Sequence, residues 1–204
     1  NISAFEDYLI RYQGRRLSQK YRRLVDSVKV HRVREAVAKG YFKVLSYKDE
    51  YEVARLHLET RKKAEEVFDG VDKITFHLAP PLLSKVGSDG RAIKRKFGNF
   101  VESVFPILAW FKFLRGTPLD VFSYTAERKM ERALIRQYEQ DMKKILQEIE
   151  PETEAIIAAL AELPLTIRGF GVVKLENKQK AEIKRAELLN SLKYKVEKVD
   201  HAAE

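Results

Sequence analysis

Apolar residues recur at helical spacing along most of the chain. Phe5, Tyr8, Leu9 and Tyr12, followed by Leu17, Tyr21, Leu24, Val25 and Val28, describe a long amphipathic helix whose phase slips near Gly14. A second helical stretch carries Val37, Tyr41, Phe42 and Leu45. A third begins at Asp49, whose carboxylate can cap the first turn, and runs through Val53, Leu56, Thr60 and Ala64 to about Phe68, with Gly70 suited to its end. The period then changes from 3.6 to two. Ile74, Phe76 and Leu78 alternate with Thr75 and His77, which predicts a strand stopped by Pro80-Pro81. Ser88-Asp89-Gly90 is a turn signal, and Ala92 to Phe97 predicts a returning strand, so a small β-hairpin is expected near residues 73–97.

Helical periodicity resumes after Asn99, an N-cap candidate. Phe100, Val101, Val104, Phe105, Leu108, Phe111 and Leu114 make a helix apolar nearly all round, which places it at the centre of the fold, with a kink expected at Pro106. Arg115-Gly116-Thr117-Pro118 stops it. Residues 123–149 carry Met130, Leu134, Tyr138, Met142, Ile145 and Ile149 on one stripe, behind a partial capping pattern at Ser123 and Thr125. Pro151 suits the first turn of the next helix, and Leu163-Pro164 closes it. A last helix carries Leu175, Ile183, Ala186, Leu189, Leu192 and Val196, and residues 197–204 read as a frayed tail. The pattern therefore predicts a mainly α fold: about seven helices in one orthogonal, bundle-like domain over residues 1–204, with the inserted hairpin and with residues 1–30 as a protruding arm.

Composition narrows the function classes. The 204 residues are 45% hydrophobic and 34% charged, with 39 Lys+Arg against 30 Asp+Glu, too apolar for a disordered polar chain. The richest apolar run, Phe100 to Leu114, is interrupted by Glu102, Pro106 and Lys112 and falls short of the roughly 20 residues a bilayer span needs. The opening Asn1-Ile2-Ser3 has no basic segment leading into an apolar one, so a cytoplasmic location without membrane attachment is expected. A first residue other than Met suggests a piece of a longer polypeptide or a processed form. The chain contains no cysteine, which excludes disulfides, thiolate catalysis and cysteine-held zinc or iron–sulfur clusters in this chain. His31, His57, His77 and His201 are too scattered for a helical metal clip, so no metal is expected.

Charge alternates in blocks: residues 1–50 are net +6, 84–118 net +5, and 119–164 net −4. The first block, with Arg15, Arg16, Lys20, Arg22, Arg23, Lys29, Arg32 and Arg34, is the best candidate for a polyanion-facing surface. The solvated face of a long helix is the favoured reading of it, and nucleic acid is not the expected partner.

Candidate chemistry is sparse. Arg168-Gly169-Phe170-Gly171 lacks the third glycine of a phosphate-cradling loop, and a helix-to-helix turn accounts for both glycines. Asp49-Glu50 and Glu65-Glu66 are adjacent carboxylates that point about 100° apart on a helix. Two clusters remain: Tyr47-Lys48-Asp49-Glu50-Tyr51-Glu52 at a helix start, and Arg115, Asp120, Arg128 and Arg132 around a Gly-Thr-Pro turn. The second set can form buried ion pairs that fix the loop, or an anion site at the helix beginning near Ser123. The ion-pair reading is preferred. No catalytic residue is assigned; His77, Arg115, Asp120, Arg128, Arg168, Lys48 and Asp49 are candidate ligand or interface residues.

Five ordered strings resemble a known family. They are Tyr47-Lys48-Asp49-Glu50-Tyr51-Glu52-Val53-Ala54-Arg55-Leu56, Phe76-His77-Leu78-Ala79-Pro80-Pro81-Leu82-Leu83, Leu114-Arg115-Gly116-Thr117-Pro118-Leu119-Asp120, Tyr124-Thr125-Ala126-Glu127-Arg128 and Ile167-Arg168-Gly169-Phe170-Gly171. In this order they resemble the C-terminal domain, of unassigned role, of the fused indolepyruvate:ferredoxin oxidoreductases of bacteria, over most of residues 5–192. The resemblance implies a parent that oxidatively decarboxylates aryl 2-oxo acids to acyl-CoA, with thiamine diphosphate, magnesium, iron–sulfur clusters, coenzyme A and ferredoxin. It carries over no catalytic position, because the catalytic residues of that family lie in other domains. Three roles follow as expectations. The first is a non-catalytic docking domain on the catalytic domains of the same polypeptide or of a sister subunit, homo-oligomers being compatible with it. The second is an anionic pocket in which His77, Arg115 and Arg168 hold coenzyme A or an oxo acid. The third is a polyanion-binding helical module.

Overall fold

The computed structural model describes residues 2–67, 76–78, 95–97 and 100–203, and the side-chain surroundings of 2–67 and 103–198. Among these residues the architecture is helical. Eight α-helices run α1 (Ile2–Tyr12), α2 (Arg15–Ser27), α3 (His31–Leu45), α4 (Glu50–Val67), α5 (Phe100–Trp110), α6 (Ala126–Ile145), α7 (Glu154–Glu162) and α8 (Gly171–Ala203). Short 3-10 turns follow α5, α6 and α7.

The expected β-hairpin over 73–97 is corrected. Among the described residues extended pairing is limited to β1 (Phe76–Leu78) and β2 (Arg95–Phe97), three residues each, antiparallel with Phe76 opposite Phe97. The residues that join them, with the expected stop at Pro80-Pro81 and turn at Ser88-Asp89-Gly90, lie outside the described residues, as do Gly70 and Asn99. The helix count rises from seven to eight because the slip at Gly14 is a true break. Gly14 sits at φ 140°, a conformation that favours glycine, and separates α1 from α2.

The chain divides into two compact units, Asn1–Tyr47 with Met130–Glu204, and Lys48–Lys129. The first unit holds the larger core. Leu9 and Tyr12 of α1 and Tyr21 and Val25 of α2 are fully buried. They pack with Val33, Val37 and Tyr41 of α3, Met142 and Ile145 of α6, and Ile157 and Ala161 of α7. Helices α3 and α7 make the closest approach. At Gly40 an added Cβ would lie 1.8 Å from the Ala161 carbonyl oxygen and 2.9 Å from the Tyr138 hydroxyl. Helix α8 is fastened to α6 by polar contacts: Arg185 donates through Nε and Nη2 to Asp141 (2.6 Å each), and Lys174 pairs with the buried Glu131. Gly169 and Gly171, at φ 92° and 55°, turn the chain into α8, as the helix-to-helix reading expects. Helix α7 starts at Glu154, three residues beyond Pro151, with Thr153 as its N-cap. Helix α8 runs to Ala203.

In the second unit α4 packs on α5, and the described apolar core is small: Ala54 and Phe105 are buried, with Leu58, Leu108 and Ala109 around them. The central position expected for the 100–114 helix is corrected. Phe105 is buried, but Ile107 and Trp110 are 57% and 66% exposed. The α-helix runs on through Pro106 and gives way at Phe111 to a 3-10 turn ending at Leu114. Among the described residues no helix is long and apolar enough to cross a membrane.

Candidate functional site

The second unit gathers the members of the two charged clusters that lie within it, Tyr47 and Arg132 belonging to the other unit, into one buried network. Asp49 stands one residue before α4 and accepts the Glu52 backbone N–H through Oδ1 (2.9 Å), the N-cap geometry its position predicts. The same carboxylate receives the fork of Arg115, from Nη2 to Oδ1 at 2.8 Å and from Nε to Oδ2. Both side chains are 3% exposed. Arg115 reaches this place because Gly116, at φ 77°, reverses the chain just after the 3-10 turn. The arginine also lies over the Tyr51 ring, 5.7 Å from its centroid.

Asp120 ties the loop closed. It accepts the Gly116 N–H (2.8 Å), the Phe122 N–H (3.2 Å) and the Tyr51 hydroxyl (3.0 Å). Burial, then the hydrogen bond to Asp120, pushes the Tyr51 phenol above the usual tyrosine range. Arg128 donates to the Lys48 carbonyl (3.3 Å) and stands 3.7 Å from Glu50. Burial raises the Glu50 carboxyl above the usual range, opposed by Arg128 and assisted by Asp49 and Glu127. In the same first turn of α4, the fully buried Glu52 accepts both Nε and Nη2 of Arg55 (2.8 and 2.6 Å). Lys112 is depressed by burial first, then by the neighbouring Arg55 and Arg115, with Glu52 opposing.

Of the candidate residues, Asp49, Arg115, Asp120 and Arg128 thus belong to one network, with Lys48 joining through its carbonyl while its side chain is exposed. His77 lies on β1 opposite Lys96, and its side chain is outside the described surroundings. Arg168 belongs to the other unit; it is exposed and donates to the Leu165 carbonyl (2.9 Å). Arg115 is committed to a carboxylate of its own chain, and the helix beginning beyond Ser123 has its third residue, Arg128, held at its N–H by Thr125 Oγ1 (3.4 Å). Sequence reasoning missed Glu52, Arg55, Lys112 and the Tyr51–Asp120 bond. The Asp49-x-x-Glu52 spacing was a signal for the first.

Beside the network the unit exposes aromatic surface. Trp110 stands edge-on to Phe111 and Phe113 at ring centroids of 5.1 and 5.2 Å, and Phe113 is 51% exposed. Leu119, Val121 and Tyr124 are exposed on the loop that Asp120 closes, Tyr124 donating to the Pro118 carbonyl (2.8 Å). Among the described residues no group of three or more His, Asp or Glu gathers to hold a metal.

No curated protein and no solved structure matches the chain. A family model described as a family of unknown function, DUF6537, matches residues 2–187. Since that span takes in nearly all of both units, the chain belongs to the DUF6537 family.

Proposed function

We propose that this chain is a non-catalytic docking domain of a cytoplasmic 2-oxoacid oxidoreductase, the parent being of the indolepyruvate:ferredoxin type that the five strings resemble. The chemistry of decarboxylation and electron transfer, with thiamine diphosphate, magnesium, iron–sulfur clusters and coenzyme A, belongs to the parent's other domains. The supporting observation is the exposed aromatic turn of Trp110 and Phe113, carried on a segment whose buried ion pairs fix it in place. Exposed Trp, Tyr and Phe on a rigid frame are what a binding hot spot requires. The partner is the catalytic part of the same polypeptide or of a sister subunit.

The pocket reading has less support, since Arg115 is bonded to Asp49 and Arg168 lies in the other unit. The polyanion reading is weakened by neutralisation within the basic block: Arg22 pairs with Glu6 and Asp26, Arg34 with Asp26, and Lys20 with Glu139.

Trp110 is the single tryptophan of the chain, so its emission reports on the proposed face directly. Titration with the catalytic domains of the parent should shift that emission to the blue and shield it from iodide. Phe113→Ser should weaken association by roughly tenfold or more. Unchanged emission at saturating catalytic domains, or full affinity in the variant, refutes the proposal.

A further inference from the structure

The first unit contains a ladder of buried tyrosine rings that the docking role does not use. Tyr41 of α3 stacks on Tyr21 of α2 (centroids 6.0 Å apart, planes 20°) and on Tyr138 of α6 (5.6 Å, 11°). All three are at most 5% exposed. Their hydroxyls differ in what they face. Tyr21 donates to the Ala38 carbonyl (3.2 Å), and Tyr138 stands within reach of the Val37 and Ala161 carbonyls (3.3 and 3.2 Å). A peptide carbonyl is a very weak base and cannot keep a proton. Tyr41 instead donates to Glu139 Oε1 at 2.6 Å, a carboxylate.

That difference matters for one-electron chemistry. A phenol that loses an electron becomes strongly acidic, so oxidation is easy only where a base is already in place for the proton. Glu139 is such a base, and it is 29% exposed, so the proton has a way on to water. Lys20 shares the same oxygen at 2.6 Å and weakens the base, but its ammonium is 49% exposed and its charge is screened. Arg23 also acts on the Tyr41 phenol, more weakly than Glu139 and Tyr138. Tyr51, whose phenol also donates to a carboxylate, is worse placed. Its acceptor Asp120 already takes two backbone N–H groups, and the Arg115 cation lies over its ring.

We propose that Tyr41 is a one-electron donor site for outer-sphere oxidants of the high-potential metal-complex class. Tyr41 gives one electron to the oxidant, which is reduced by one unit of charge. Its phenolic O–H bond breaks, and the proton passes along the existing hydrogen bond to Glu139, leaving a neutral phenoxyl radical beside a carboxylic acid.

The test uses the full chain in a Trp110→Phe background, which removes the competing indole. A photogenerated tris(bipyridine)ruthenium(III) complex is the oxidant, and the radical is followed by transient absorption and by paramagnetic resonance after freezing. Tyr41→Phe should abolish most of the buried tyrosyl signal. Glu139→Gln keeps the stack and changes a part-exposed position, so the fold is retained; it should slow oxidation by about tenfold or more and remove the solvent deuterium effect. A tyrosyl signal unchanged in yield by Tyr41→Phe, or oxidation in Glu139→Gln as fast as in the parent chain, overturns the proposal. Should Tyr41→Phe fail to fold, the Glu139→Gln rate and isotope effect decide alone.

Discussion

Replacing Asp49 by Asn isolates the buried ion pair from the helix cap. Asparagine keeps the side-chain oxygen that receives the Glu52 N–H, and it is as good an N-cap as aspartate. What disappears is the negative charge facing the Arg115 guanidinium, where both side chains are 3% exposed. Arg115 cannot lose its proton, so the variant leaves a buried cation without its counter-charge, at a cost of about 3–5 kcal/mol. A small domain is stable by only about 5–15 kcal/mol, so the second unit should lose a large part of its stability. Arg115→Met should cost less, because the orphaned Asp49 still holds the Glu52 N–H. The double variant should cost well under the sum, with a coupling of about 2 kcal/mol or more, since a charge-free pair of similar volume escapes the desolvation penalty. Urea unfolding followed by Trp110 emission reads this unit, and far-UV circular dichroism reads both units. Asp49→Asn should move the emission midpoint and leave a later dichroism phase near its original position. A loss below about 1 kcal/mol, or strictly additive single variants, refutes the reasoning.

Three further outcomes are expected. Gly40→Ala drives a methyl into the Ala161 carbonyl and the Tyr138 hydroxyl, and should destabilise the first unit by about 3 kcal/mol, seen as a lowered thermal midpoint; an unchanged midpoint contradicts the close approach. His57 stacks on Phe105 (5.3 Å, 7°), and burial holds its pKa below the usual histidine value. The unfolded chain therefore takes up the proton first. Stability should be full above about pH 6.5 and fall as the pH drops through the depressed native value, a loss that His57→Leu should remove; identical acid profiles for the two proteins argue against it. Glu50 has the opposite sign, because burial raises its native pKa and the ionised form is penalised. Glu50→Gln should stabilise the second unit at neutral pH, with the advantage fading on acidification through the raised pKa, and a deficit at pH 7 in urea unfolding counts against this.

The local chemistry of this chain was legible and its long-range pairing was not. Asp49 reads as a cap because a cap is a three-residue affair, and the structure places its carboxylate on Glu52 N–H. Arg115, Asp120 and Arg128 stand out because charge around a Gly-Thr-Pro turn is unusual. That Asp49 and Arg115 meet across 66 residues depends on how α4 packs against α5, which no local pattern encodes. The 100–114 run shows the limit from the other side. Periodicity reports how apolar a helix is but not whether its partners are present, and Trp110 and Ile107 are exposed despite it. Residues 15–27 show what local pattern does convey: one face of α2 buries Tyr21 and Val25 while Arg22 on the other pairs with Glu6 and Asp26. Gly40 carried no signal because its meaning lies in the backbone of a helix 121 residues away, at Ala161 on α7.

The ion-pair network and the exposed aromatic turn are best understood together. A buried ion pair contributes little net stability over apolar residues of the same volume, and the described apolar core of the second unit is slight, Ala54 and Phe105 with three partly covered neighbours. A network of this kind therefore contributes mainly geometry. Asp49 fixes Arg115, Asp120 fixes Gly116 and Phe122, and the loop between them is left with one way to run. Leu119, Val121 and Tyr124 are held outward on that loop, and Phe113 just before it. Holding apolar side chains in water has no benefit to the isolated chain; its benefit comes on association, when a surface already ordered loses less entropy than a floppy one. The double variant that removes both Asp49 and Arg115 separates the two effects. It should lose less stability than the two single variants together while its association weakens, because asparagine and methionine fill the space without dictating where the loop goes.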